Sequence, residues 1–191
     1  MTESSCGYAA IWERTALTRD GAPFRIRPIR FDDAPLERSF VQGLSEESRY
    51  WRTMGTMSKQ LIADPGYRLV KVDYRDNMAF AALVGGGVEE RIIGIAQYAQ
   101  NRERDHEFAI AIADEWQARG VGSAIMLVLF DYARCHGIDM LHGDILSENH
   151  RMIEFVRWLG MTNQRAVEDP TLIKACCTLS NTPPADLAEA R

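Results

Sequence analysis

From Glu107 to Ser123 the chain reads Glu-Phe-Ala-Ile-Ala-Ile-Ala-Asp-Glu-Trp-Gln-Ala-Arg-Gly-Val-Gly-Ser. An alternating apolar run passes through a short acidic linker into a turn with two glycines, and an apolar stretch at helical spacing follows. The first N–H groups of such a helix lack internal partners and lie at the positive end of its dipole, so they suit a phosphate or pyrophosphate. Gly120 and Gly122 let the anion approach the main chain. Two familiar phosphate loops are excluded. A Walker loop needs Lys after its last glycine, whereas Gly122 is followed by Ser123-Ala124. A dinucleotide fingerprint needs a third glycine where Ile125 stands, and its glycines directly at the strand end.

The other reactive residue types are dispersed. His106, His136, His142 and His150 have no metal-ligand spacing, and neither do Cys6, Cys135, Cys176 and Cys177. No metal site is expected. The adjacent pair Cys176-Cys177 is too strained for a mutual disulfide, so the cysteines are read as reduced thiols.

These residues need elements to hold them. Residues 24–30, Phe-Arg-Ile-Arg-Pro-Ile-Arg, alternate at period 2 and predict a strand, with Pro28 at an edge or end. Asp32-Asp33 precede a helix over 34–44, and Ser45 opens a second short helix through Met54. The pattern over 58–72 is weak, with Pro65-Gly66 as a break. Residues 77–84 and 91–100 predict a hairpin across the glycine-rich loop 85–90, and 107–113 a third antiparallel strand. A helix over 120–135 follows, then a strand over 140–146, a helix over 149–159 closed by Gly160, and a strand over 171–179. Residues 1–23 read as a flexible lead-in and 181–191 as a tail, leaving 24–180 as the domain. This order implies an α/β (α+β) domain: a mixed, mostly antiparallel sheet flanked by helices.

Composition narrows the function classes. Of 191 residues, 46% are hydrophobic and 26% charged, which excludes a disordered chain. The net charge of -5 disfavours nucleic acid as a partner. The longest apolar runs, such as residues 124–130, are too short for a membrane span. With no signal-peptide pattern at the start, a cytoplasmic location is expected.

The hexapeptide Gln117-Ala118-Arg119-Gly120-Val121-Gly122 resembles the acyl-CoA pyrophosphate loop of the GNAT acetyltransferase superfamily. Asn149, opening a helix that ends in Leu159-Gly160-Met161, resembles that superfamily's second motif, and the chain order is similar from about residue 24 to 179. The opening Ile-Arg-Pro-Ile-Arg with Asp32-Asp33, and Gly-Leu-Ser-Glu-Glu-Ser-Arg-Tyr at 43–50, resemble the bacterial protein lysine acetyltransferases in particular. Those often carry regulatory or synthetase-like domains, and no such domain is expected in this chain.

The resemblance implies a GNAT fold in which strands 107–113 and 140–146 run parallel and splay apart, freeing backbone amides for pantetheine. Acetyl-CoA is then the co-substrate, held by main chain near Ile110 and Ile112 and by N–H groups from Arg119 to Ser123, with Asn149 at its arm. A lysine amine is mostly protonated at neutral pH, so a general base is required. The lysine-acetylating branch places its glutamate just before this strand, which implies Glu107. Partial desolvation would raise its basicity, and a strand N–H would polarise the thioester carbonyl. Many members protonate the leaving thiolate from a Tyr seven residues after the Asn; here that position is Val156, with Tyr50, Tyr74 and Tyr98 as unlocated alternatives. The expected activity is acetyl transfer to an amine, with a protein lysine as partner and a monomer or homodimer as the assembly. A small-molecule amine acetyltransferase and a non-catalytic acyl-CoA-binding module are the competing readings.

Overall fold

The computed structural model describes residues 12–54, 71–167 and 169–179. Its strands are β1 (Arg14–Leu17), β2 (Pro23–Pro28), β3 (Asn77–Val84), β4 (Arg91–Gln100), β5 (His106–Ile112), β6 (Met140–Leu146), β7 (Thr162–Arg165) and β8 (Leu172–Thr178). The helices are α1 (Ala34–Gly43), α2 (Glu46–Thr53), α3 (Val121–Cys135) and α4 (His150–Trp158). All eight strands lie in one sheet, ordered β1-β2-β3-β4-β5-β6-β8-β7. Every neighbouring pair is antiparallel except β5–β6. This is the mixed, mostly antiparallel α/β sheet that the element order implies.

The sheet is buried on both faces at its centre, which explains why β3 reads as the near-continuous apolar run Met-Ala-Phe-Ala-Ala-Leu-Val rather than as an alternation. Met78, Phe80 and Ala82 join Tyr98, Phe108 and the inner side of α3 in the larger core. Ala79, Ala81 and Leu83 face the other way, onto Phe40, Val41 and Leu44 at α1. Helix α3 is the main cover: ten of its fifteen residues are buried, among them Ile125, Met126 and Leu129.

The lead-in is more structured than its sequence suggests. Residues 14–17 form β1 and pair antiparallel with β2, and Trp12 packs edge-on against Tyr132 of α3 at 5.1 Å between ring centroids. Pro28 closes β2, which β1 keeps from being the edge strand. Residues 162–165, Thr-Asn-Gln-Arg, form β7 on the opposite edge, held by their ladder to β8. The weak pattern over 58–72 falls mostly outside the described residues.

One junction positions the site. β5 and β6 pair in parallel only through His106 with Leu141 and Glu107 with His142. Beyond that point they part. β6 stays with β8 along its whole length, and β5 stays with β4.

Candidate active site

Which backbone groups face the opening between β5 and β6 follows from the β4–β5 ladder. The amide of Ala113 donates to Ile93 O at 2.9 Å and that of Asn101 to Asp105 O at 2.8 Å, at the two ends of one register. Antiparallel pairs alternate between bonded and non-bonded partners, so the odd-numbered residues of β5 spend their amides on β4. Phe108, Ile110 and Ile112 therefore turn theirs to the other side: Phe108 lies beside the pairs that β5 and β6 still share, and the amides of Ile110 and Ile112 face the slot that β6 has left. Their side chains pack into the larger core, as the sequence leads one to expect.

The slot opens into a cleft of about 900 Å³ whose walls come from α2, β5, the turn before α3, β6 and α4. Ile110, Ile112, Gln117, Ala118, Gly120, Gly122, Ser123, Asn149 and Glu107 all line it. Gly120 caps α3 with φ of 90°, a conformation that glycine adopts without the steric cost a Cβ brings. Ala118 is also left-handed, with φ of 58°. Alternating hands in consecutive residues turn successive N–H groups inward into an anion-binding concavity. The hydroxyl of Ser123 donates to Gly120 O at 2.9 Å and closes the turn.

Val121 and Arg119 stand outside the cleft wall. Val121 is fully buried in the core. The Arg119 guanidinium is drawn away by Asp20, at 2.6 and 3.2 Å, and lies over the Trp116 ring at 4.4 Å. That hydrogen bond holds the Asp20 carboxyl down at about 2. Of Arg119, only the main chain is available at the turn, and its carbonyl accepts from Arg19 N at 2.9 Å. The Arg19 side chain, donating to Ala118 O at 3.2 Å, takes a place in the cleft.

Gln117 joins three elements. Its Nε2 donates to Ile112 O at 3.0 Å and Ser48 Oγ at 3.1 Å, and its Oε1 accepts from Arg151 of α4 at 2.6 Å. Asp114 fastens the start of α2 to the same linker by accepting from Ser45 N, Ser45 Oγ and Ser48 Oγ. Burial raises its carboxyl, but these bonds outweigh burial and keep it below the usual range. Asn149 Oδ1 accepts from Met152 N at 3.0 Å, an N-cap that starts α4 at the cleft wall.

The comparisons agree on the family. The family model described as acetyltransferase (GNAT) family matches residues 45–161, more than half of the chain. This chain belongs to the GNAT acetyltransferase family. A curated acetyltransferase of Pseudomonas aeruginosa is 34% identical over 157 residues, covering 81% of this chain and 83% of the relative. Among solved structures, the GNAT domain of S. lividans PAT is similar with a TM-score of 0.77 and 30% identity, over 90% of this chain and 99% of that one. A cAMP-binding acyltransferase from Mycobacterium smegmatis shares the fold at a TM-score of 0.57 and 20% identity; the match covers 95% of this chain but 54% of the longer protein. The chain is an N-acetyltransferase, and its family uses acetyl-CoA as co-substrate.

In this GNAT chain Glu107 sits at the start of β5, in the last residue pair that β5 and β6 share, and its side chain is exposed. The protein alone thus does not desolvate it as the sequence reading anticipates. Val156 is fully buried, so no hydroxyl enters the cleft from that position. Tyr74 and Tyr98 donate instead to the carbonyls of Ile29 and Arg75, and no tyrosine is among the described cleft residues.

Sequence reasoning missed several cleft residues. Gly143 had a signal, being an isolated glycine inside a strand, which marks a close approach. A Cβ there would meet the Phe108 ring at 2.7 Å. Asp114, Ser48 and Arg151 carried no such signal, because their partners lie 66, 69 and 34 positions away in the chain.

Proposed function

We propose that this chain transfers the acetyl group of acetyl-CoA to the side-chain amine of a protein lysine, with Glu107 taking the proton from the amine. The observation that carries this reading is the placement of Glu107 where β5 and β6 part, with the amides of Ile110 and Ile112 turned into the slot beyond it. Acetyl-CoA supplies the acyl group in activated form, as a thioester. The fit is supported by the concave turn at 118–123, by the unshared strand amides and by a cleft floor at Gly122 that has no side chain. There a Cβ would already stand 3.4 Å from Phe155 Cζ.

Each residue has a definable task. The N–H groups from Arg119 to Ser123 face the diphosphate, and the main chain at Ile110 and Ile112 the pantetheine arm. The Ile112 carbonyl is committed to Gln117, which fixes the far end of the slot. Asn149 holds the first turn of α4 against the arm. Glu107 begins exposed, and a bound acceptor shields its carboxylate from water. With no tyrosine among the described cleft residues, the leaving thiolate, of low basicity, takes its proton from solvent. A protein acceptor is supported by the sequence likeness to the lysine-acetylating branch.

The test is thiol release from acetyl-CoA in the presence of lysine-bearing proteins and, separately, small amines. Glu107→Gln is expected to bind CoA like the parent while losing about 10²- to 10⁴-fold in turnover. Undiminished turnover removes Glu107 as the base. Transfer confined to the small amines removes the protein acceptor.

A further inference from the structure

The turn between β1 and β2 reaches the glycine turn before α3 and exchanges arginines with it. Residues 18–22 form a closed loop: Thr18 N donates to Ala22 O, Ala22 N to Thr18 Oγ1 and Gly21 N to Thr18 O, each at 2.9 Å. Thr18 is 2% exposed, so the loop is anchored at its root. The next residue, Arg19, donates its main-chain N–H to Arg119 O at 2.9 Å and its Nη1 to Ala118 O at 3.2 Å. In return, Arg119 sends its guanidinium out to Asp20 and over the Trp116 ring.

This exchange decides which cation faces the cleft. Arg119 belongs to the glycine motif, yet its guanidinium is spent on a carboxylate and an indole. Arg19 lies outside that motif, is exposed, and lines the cleft beside Ala118 and Gly120. Of its guanidinium only Nη1 has a partner among the described residues, which leaves the Nε and Nη2 side of the fork open to a ligand. The electrostatics of the cleft make that fork important. Its described wall holds six carboxylates against three guanidinium groups, and one of those three, Arg151, is engaged by Gln117. Acetyl-CoA is a polyanion that such a wall repels, so its phosphates need a cation at their own end of the cleft. A guanidinium fork matches two phosphate oxygens at once.

We infer that Arg19, carried on the β1–β2 turn, supplies the guanidinium that binds a phosphate of acetyl-CoA, in the place that Arg119 of the glycine motif has given up to Asp20. This rests on the acetyl-transfer reading above. Arg19 is a binding residue and takes no part in proton transfer; Asp20 acts through Arg119 by keeping it away. The cofactor offers the same phosphate oxygens in two places, the diphosphate and the monoester on its ribose, and the experiment separates them.

Calorimetry on the whole chain measures binding of CoA and of dephospho-CoA, which lacks the ribose monoester. Arg19→Gln keeps an amide donor for Ala118 O and removes the charge; it is expected to bind CoA about tenfold more weakly at low salt, with a Tm like the parent's. Added salt should weaken CoA binding to the parent more steeply than to Arg19→Gln, a difference that the loss of a purely structural bond does not produce. Arg19→Lys, which restores a charge without the fork, should recover part of the affinity. Arg119→Gln should cost less CoA affinity than Arg19→Gln. If Arg19→Gln weakens dephospho-CoA as much as CoA, the phosphate it binds is the diphosphate; if both proteins bind dephospho-CoA equally, it is the monoester. Parent-like CoA affinity in Arg19→Gln, the same salt dependence in both proteins, or a larger loss in Arg119→Gln overturns this inference and leaves the acetyl-transfer reading standing. If the parent itself binds no CoA, that reading falls, and this inference with it.

Discussion

Replacing Gly143 by alanine places a methyl group against three atoms of the Phe108 ring, at 2.7, 2.9 and 3.0 Å. Ordinary contact begins near 3.4 Å, so the ring must retreat by roughly 0.7 Å. It has little room, because Phe108 is 3% exposed and packs in the larger core. The alternative is for β6 to move, but β6 is held along its whole length by β8. Overpacking of this kind costs about 1–3 kcal/mol. In a chain of this size that corresponds to a fall of about 3–10 °C in Tm. The function should suffer more than the stability, since Phe108 lies between Glu107, the proposed base, and Ile110, the first residue whose amide faces the slot. We expect turnover to fall by at least about tenfold, because misplacing reacting groups by a fraction of an ångström is expensive. Thermal unfolding and thiol release on Gly143→Ala, Phe108→Leu and the double variant form the assay. The smaller leucine should partly relieve the clash, giving a coupling of about 1 kcal/mol between the two sites. Parent-like Tm and turnover in Gly143→Ala, or strictly additive effects in the double variant, would refute the claim that this contact sets the geometry of the slot.

Three further perturbations probe other parts of the structure. Gln117→Leu removes the donor to Ile112 O and Ser48 and the acceptor for Arg151; we expect a loss of about 1–3 kcal/mol by urea denaturation and weaker CoA binding by calorimetry. Gly120→Ala forces a Cβ into a left-handed turn at about 1–2 kcal/mol, and its CoA affinity should fall more than its Tm alone suggests. Asp33→Asn breaks a buried pair: Arg27 is 2% exposed and donates to Asp33 at 2.6 and 2.8 Å. With Glu90 at 3.2 Å and Pro28 O at 3.1 Å as the remaining partners of Arg27, the loss should be about 3 kcal/mol at pH 7. Burial pushes the Asp33 carboxyl up, but Arg27 and the Arg30 amide together hold it below its ordinary value. The folded state thus binds this proton less readily than the unfolded chain. The pair's contribution is complete above the unfolded carboxylate pKa near 4 and disappears as pH falls through the lower folded value. Asp33→Asn should therefore narrow the stability gap to the parent when denaturation is repeated near pH 3, and a gap independent of pH would contradict the assignment.

How much of this was legible in the sequence depended on whether the signal was local. β3, β4 and β6 fall at their expected boundaries, and the helices within a residue or two, because apolar periodicity and caps such as Ser45 and Asn149 act over a few positions. β1 and β7 were not legible: each has four residues and borrows its order from a ladder, to β2 in one case and β8 in the other. The glycine turn was readable as Gln117 to Ser123, yet the side-chain contacts within it were not. Nothing local says that Arg119 is claimed by Asp20, 99 positions earlier, or that Arg19 takes the place in the cleft. The same holds at the other end of the slot. Glu107 and His142 become neighbours only because β5 and β6 share two residue pairs before parting, and a junction that brief leaves no period in either strand. Residues that build an element announce themselves through spacing, whereas residues that meet across a gap between elements are revealed only by the packing on either side of it. The cleft of this chain lies along that gap, so the sequence named its glycine turn and Glu107 through motifs and left the partners that meet across it to be found in three dimensions.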